Sequence, residues 1–205
     1  LKKYLIENRN IQKDKIKVIY HFANEPEVPK CKKISKNIMY AGNLGTPQNI
    51  ESFIDTFSKS RKNYKLTIFG SGSQYEKICE LSSPHVEVNS YVSREKLVYL
   101  TREIPYALVS LSSKITVEGF PGKTFDYLKM NKILIGYSHP ESSLAKFIDK
   151  FQLGINIDPN HQDSDIKLNK LEEDSFLEQI YSNISEMNNH FANVDLIVKQ
   201  YMELI

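Results

Sequence analysis

From Asn37 onward, short apolar runs alternate with segments whose apolar residues recur at helical spacing. Asn37-Ile38-Met39-Tyr40-Ala41 reads as a buried strand. Ile50, Phe53, Ile54 and Phe57 then fall at i, i+3, i+4 and i+7, the apolar face of a helix packed on a sheet. The strand pattern returns at 64–69, 85–88, 106–111, 132–137 and 154–158. Helices are predicted between these runs over 74–81, from an N-cap at Ser93 through Leu97 and Leu100, from about Gly122, and over 141–151 with Leu144, Phe147, Ile148 and Phe151 on one face. Such alternation predicts an α/β domain: a parallel sheet with helices on both faces, occupying 37–160. Ahead of it, 1–36 reads as a crossing segment with a short helix to Ile11, a short strand over Lys17-Val18-Ile19-Tyr20 and a proline-bearing linker from Asn24 to Ser35. Behind it, 161–205 reads as a polar loop with Asp163 and Asp165, followed by helices over 172–189 and 193–204; Phe176, Ile180, Ile184 and Met187 carry the packing face of the first.

The chemistry concentrates where the fourth predicted strand of the sheet, 106–111, passes into its helix, in Glu118-Gly119-Phe120-Pro121-Gly122-Lys123-Thr124-Phe125-Asp126. Pro121 and Gly122 suit a helix start, where free amides and the positive end of the helix dipole attract phosphate. Asp126, one turn in, can accept hydrogen bonds from two vicinal hydroxyls, as on a ribose. Glu118 in the loop can face a second polyol, and Lys123 can balance phosphate charge. Glycine turns follow the first two strands: Gly42-Asn43-Leu44-Gly45 and Gly70-Ser71-Gly72, the second being half of a dinucleotide fingerprint without its third glycine.

Composition narrows the choice of partners. A net charge of +2, from 27 basic and 25 acidic residues, gives no electrostatic case for nucleic acid, and the Lys30-Cys31-Lys32-Lys33 patch reads as solvated surface. Cys31 and Cys79 support neither a disulfide framework nor a zinc site and fit a reducing cytoplasm. No apolar run approaches the roughly 20 residues of a membrane helix. His139 and His161 read as surface residues. A chain that opens on Leu1 reads as a fragment of a longer protein.

Glu118 and Asp126 resemble the E-x7-E motif of glycosyltransferase family 4, retaining enzymes of the GT-B fold. Pro121-Gly122-Lys123 with Phe125-Asp126-Tyr127-Leu128 is similar to the P-S-K-x-x-E-Y-L form common among bacterial polysaccharide enzymes. Two departures are an Asp where the family usually has Glu, and Gly122 where Ser is common. A third is the replacement of the basic residues that follow the first glycine turn in many members by Thr46, Gln48 and Asn49. The resemblance implies a Rossmann-like, donor-binding C-terminal half of a GT-B enzyme. It implies transfer from a nucleotide-sugar, a UDP-sugar by preference, to a glycan or lipid-linked acceptor bound by an absent N-terminal domain, with retention and without a metal or other cofactor. The catalytic roles fall to Glu118 and Lys123. Donor binding falls to Gly42, Asn43, Gly70, Ser71, Gly72, Tyr91, Val92, Gly122, Thr124 and Asp126, with the base against Tyr91 and Val92. The implied location is the cytoplasm, with the whole enzyme able to associate peripherally with the inner face of the membrane. A GT-B-like nucleotide-sugar epimerase and a non-catalytic nucleotide-binding module are the alternatives.

Overall fold

A computed structural model of the chain describes residues 2–19, 29, 35–59, 63–115, 120–161, 164–191 and 194–204. Among these residues six strands, β1 (Asn37–Asn43), β2 (Lys65–Ser71), β3 (Val86–Ser90), β4 (Tyr106–Ser110), β5 (Ile133–Tyr137) and β6 (Gly154–Ile157), form one parallel sheet in the order β3-β2-β1-β4-β5-β6. The described helices are α1 (Lys2–Arg9), α2 (Ile50–Lys59), α3 (Tyr75–Cys79), α4 (Arg94–Thr101), α5 (Lys123–Lys129), α6 (Ser143–Phe151), α7 (Ser164–Lys170), α8 (Asp174–Phe191) and α9 (Val194–Met202). The strand order is the Rossmann order, which reverses between β1 and β4 and opens a crevice beyond the carboxyl ends of the strands.

Every residue of β4 and β5 is buried, as expected of strands covered on both faces. β5 shows the two faces directly. The Tyr137 ring packs edge-on against Phe53 of α2, 5.2 Å between centroids, and its hydroxyl meets the Ser52 and Thr56 hydroxyls at 2.8 and 3.0 Å. Its neighbour Gly136 turns the other way, toward Ile148 of α6 and Asn156 of β6. The predicted apolar faces fill the core: Ile50, Phe53, Ile54 and Phe57 of α2, Leu144, Phe147 and Ile148 of α6, and Ile180, Ile184 and Met187 of α8 are all buried.

Serine hydroxyls begin two of the helices. Ser93 Oγ accepts from the Lys96 amide at 3.4 Å, and Ser142 Oγ from the Ala145 amide at 3.0 Å. The other end of α4 is held by a fully buried lysine, Lys132, whose ammonium donates to the carbonyls of Thr101 (2.6 Å) and Ile104 (2.7 Å). This fixes α4 against the start of β5.

Two expectations change. Residues 17–19 form no strand, since Lys17 instead reaches the far end of the chain, pairing with Glu203 at 2.9 Å. The polar stretch after Asp158 contains α7, where Leu168 is buried without an apolar period to announce it. The linker expected from Asn24 lies outside the described residues apart from Pro29 and Ser35, as do Tyr20, Cys31 and Asp163. Among the described residues no helix is long and apolar enough to cross a membrane.

Candidate functional site

The crevice at the reversal point is built by α5. β1 and β4 pair only at Ile38 with Tyr106 and Met39 with Ala107, so beyond Met39 that side of β1 has no strand partner. Tyr127 supplies one. Its hydroxyl accepts from the Ala41 amide at 2.8 Å and donates to the Ala41 carbonyl at 3.0 Å. Burial raises its pKa, which keeps the phenol protonated for this double role. The clamp sets α5 across the carboxyl end of β1.

Lys123, Asp126, Tyr127 and Met130 stand at i, i+3, i+4 and i+7, and all four line one cavity of about 190 Å³. Ala41, Gly42 and Phe69 from the ends of β1 and β2 line it too, with Tyr91, Val92, Arg94 and Leu97 from the turn and helix after β3. Five residues singled out from the sequence, Gly42, Tyr91, Val92, Lys123 and Asp126, therefore meet around one space. Arg94, Phe69, Leu97, Tyr127 and Met130 had no place in the expected site. The helical spacing from Lys123 to Met130 was the signal that could have found two of them.

Lys123 is the unusual group. The residue is half-buried, yet the ammonium itself has essentially no exposed surface and makes no hydrogen bond. It lies 3.9 Å from the centroid of the Tyr40 ring, over its face, in cation–π contact. Gly42 leaves room for it: a Cβ there would stand 2.6 Å from Nζ, and the residue's φ of +137° is one that side chains rarely adopt. Burial pushes the Lys123 pKa down to about 8, against the opposing pull of Asp126.

The remaining predicted residues lie around this cavity in different ways. Gly70 and Gly72 are required by the neighbouring turn: a Cβ would meet the Gly42 carbonyl at 2.3 Å in one and Asn43 Oδ1 at 2.5 Å in the other. Asn43 donates to Gln48 Oε1 at 3.3 Å, and the Ser71 carbonyl accepts from the Leu44 amide at 2.8 Å. The four thus lock two turns together beside the cavity. Gly122 is exposed at the start of α5. Thr124, expected to line a diphosphate, is fully buried beneath the helix because the helical period turns it, with Phe125 and Leu128, toward the core. The helix-start amides are also partly spent, Thr124 donating to the Pro121 carbonyl and Phe125 to that of Gly122, each at 3.0 Å. Glu118 and Gly119 lie outside the described residues.

A larger cavity, about 350 Å³, lies between α6, β6, α7 and α8, lined among others by Ile148, Gln152, Gly154, Lys170 and Phe176. It gathers none of the predicted residues. Size favours that cavity and chemistry the smaller one, which combines a buried amine, a carboxylate, a guanidinium and an exposed tyrosine at a sheet reversal point. Chemistry decides. Among the described residues no three His, Cys, Asp or Glu side chains gather as a metal set.

The family model described as "Glycosyl transferases group 1" matches residues 4–189. A search of curated proteins finds no match. Among solved structures, the apo form of the lipopolysaccharide outer core galactosyltransferase WaaB is similar at a TM-score of 0.73 and 19% identity, over 97% of this chain and 57% of that one. The C-terminal domain of the glycosyl transferase group 1 family protein LpcC from Francisella tularensis is similar at 0.60 and 12%, over 86% and 97%. Anabaena Alr3699/HepE in complex with UDP-glucose is similar at 0.65 and 14%, over 82% and 48%. The chain thus spans about half the length of several whole chains it matches, and nearly all of an isolated C-terminal domain.

Proposed function

The chain belongs to the group 1 glycosyltransferases, and from that membership we propose that it is the nucleotide-sugar-binding domain of a retaining enzyme. That enzyme moves a sugar from a UDP-sugar to a glycan or lipid-linked acceptor in surface polysaccharide synthesis, working at the cytoplasmic side of the membrane. The observation that carries this reading is the meeting of Lys123, Asp126, Arg94, Tyr91 and Gly42 around one cavity at the reversal point. UDP is preferred because structures of this fold hold UDP or UDP-glucose.

Each contact follows from side-chain chemistry. The Tyr91 ring, 71% exposed at the rim, offers a face for the base, with the Val92 backbone beside it. Asp126, an acceptor with two oxygens, takes the ribose hydroxyls. The diphosphate needs positive partners, and with two of the amides at the start of α5 already spent, the demand falls on side chains. Lys123 meets it, with Arg94 lining the same space. Negative charge on the leaving diphosphate grows as the sugar bond breaks, so an ammonium held there stabilises the transition state more than the ground state. Glu118, by its resemblance to the first acid of the E-x7-E motif, holds the sugar ring. The acceptor binds to the companion half.

The test joins this chain to its acceptor-binding half and follows UDP-sugars. UDP release with a new glycosidic bond is the expected result. Interconversion of UDP-sugars without UDP release would make the protein an epimerase, and UDP binding with neither outcome a non-catalytic module.

A further inference from the structure

We infer that the Lys123 amine takes up a proton when a nucleoside diphosphate enters the cavity, so that donor binding is linked to pH; this rests on the nucleotide-binding reading above. The geometry leads there. An ammonium carries three N–H donors, and Lys123 Nζ, withdrawn from solvent, places none of them on a protein acceptor. It rests on the Tyr40 face, 3.9 Å from the ring centroid, in space left by the missing Cβ of Gly42. The Tyr40 hydroxyl is turned away to donate to the Asn43 carbonyl at 2.6 Å. A buried charge without hydrogen bonds is the less favoured form of an amine.

The groups around it do not remove that bias. From β1 comes Tyr40, whose phenol burial keeps protonated and neutral and whose ring face attracts the ammonium without a hydrogen bond. From α5 come Tyr127, neutral for the same reason, and Asp126, the one described group whose charge favours the ammonium. Arg94, from the first turn of α4, lines the same cavity and bears a like charge. Burial prevails, and the amine titrates near 8 instead of at its ordinary 10.5. A diphosphate changes both causes at once: its oxygens accept the unmade hydrogen bonds, and its negative charge favours the ammonium. Rotation about the outer bonds of the side chain carries the amine from the Tyr40 ring to the ligand. One proton passes from buffer to Nζ, and no covalent bond is made or broken.

The experiment is calorimetric titration of UDP into the 205-residue chain in buffers of different ionisation heat. At about pH 8 the terminal phosphate, with its own last pKa near 6, exchanges almost no proton. Binding should take up about half a proton per UDP there, since the amine starts half neutral. Lys123→Met should bind more weakly and take up none. The parent alone gives a second measurement: its affinity should fall as pH rises above about 8, approaching tenfold per pH unit. Heats identical in every buffer, or uptake that persists in Lys123→Met, would overturn the inference while leaving nucleotide binding intact. Absence of UDP binding at every pH would overturn the nucleotide-binding reading itself, and this inference with it.

Discussion

Lys123 costs the empty domain stability, because its ammonium is buried without a hydrogen-bond partner. The sign with pH follows. Its folded pKa, about 8, lies below the ordinary 10.5, so between those values the unfolded chain binds more protons and stability rises with pH. The buried phenols of Tyr40, Tyr106 and Tyr127 act in the opposite sense, but only above the ordinary tyrosine value of 10.0. Measured by urea unfolding, the parent should gain about 2 kcal/mol relative to Lys123→Met between about pH 7 and pH 9.5; a constant difference would place the amine in solvent. Asp126→Asn should weaken UDP binding by roughly tenfold or more, since hydrogen bonds to a charged acceptor are worth about 1.5–3 kcal/mol. An unchanged dissociation constant in a folded variant would make Asp126 a helix-dipole partner instead of a ligand group. At this scale the residue types were legible and their partners were not. Nothing near Lys123 in sequence points to Tyr40 or Gly42, which lie on β1, and the inward turn of Thr124 follows from a helical phase that a nine-residue motif hides.

Between elements, the join of α5 to β1 depends on one hydroxyl. Tyr127→Phe leaves the half-buried Ala41 amide and carbonyl without their partner, a loss of about 1 kcal/mol, at the low end of the cost of unsatisfied buried groups. The loss should appear in urea unfolding together with weaker UDP binding, because Ala41 and Gly42 line the cavity that the clamp shapes. Full retention of both would mean that water substitutes for the phenol. Strands and long helices were legible because their apolar periods are uninterrupted: the four-residue face of α2 and the run into β5 are buried as read. α7 was not, since its sequence is mostly polar and its order comes from neighbours, Leu168 entering the core while Lys167 donates to the Asn156 carbonyl at 2.6 Å. Lys17-Val18-Ile19 failed in the opposite direction. A β-branched pair suggests a strand, but Lys17 bonds to Glu203 and no sheet edge receives the segment.

For the whole molecule, the alternation of runs was enough to predict a parallel α/β sheet, while the order in which the strands lie, and hence the place of the crevice, is a long-range property that no single run carries. The motif compensated, because it marked the helix whose residues line that crevice. On the proposed reading this domain holds one substrate and needs a second surface to align the other. The isolated chain should therefore bind a nucleoside diphosphate yet transfer no sugar, and measurable transfer to any acceptor by it alone would contradict the two-half reading. The central claim is about where the nucleotide sits, and titration of UDP into the isotope-labelled chain, followed through backbone amide resonances, addresses it most directly. Saturable shifts should gather at Gly42, Tyr91, Val92, Lys123 and Asp126 around the smaller cavity. Shifts centred instead on Gln152, Gly154 and Lys170 beside the larger one, or no shifts at all, would contradict it.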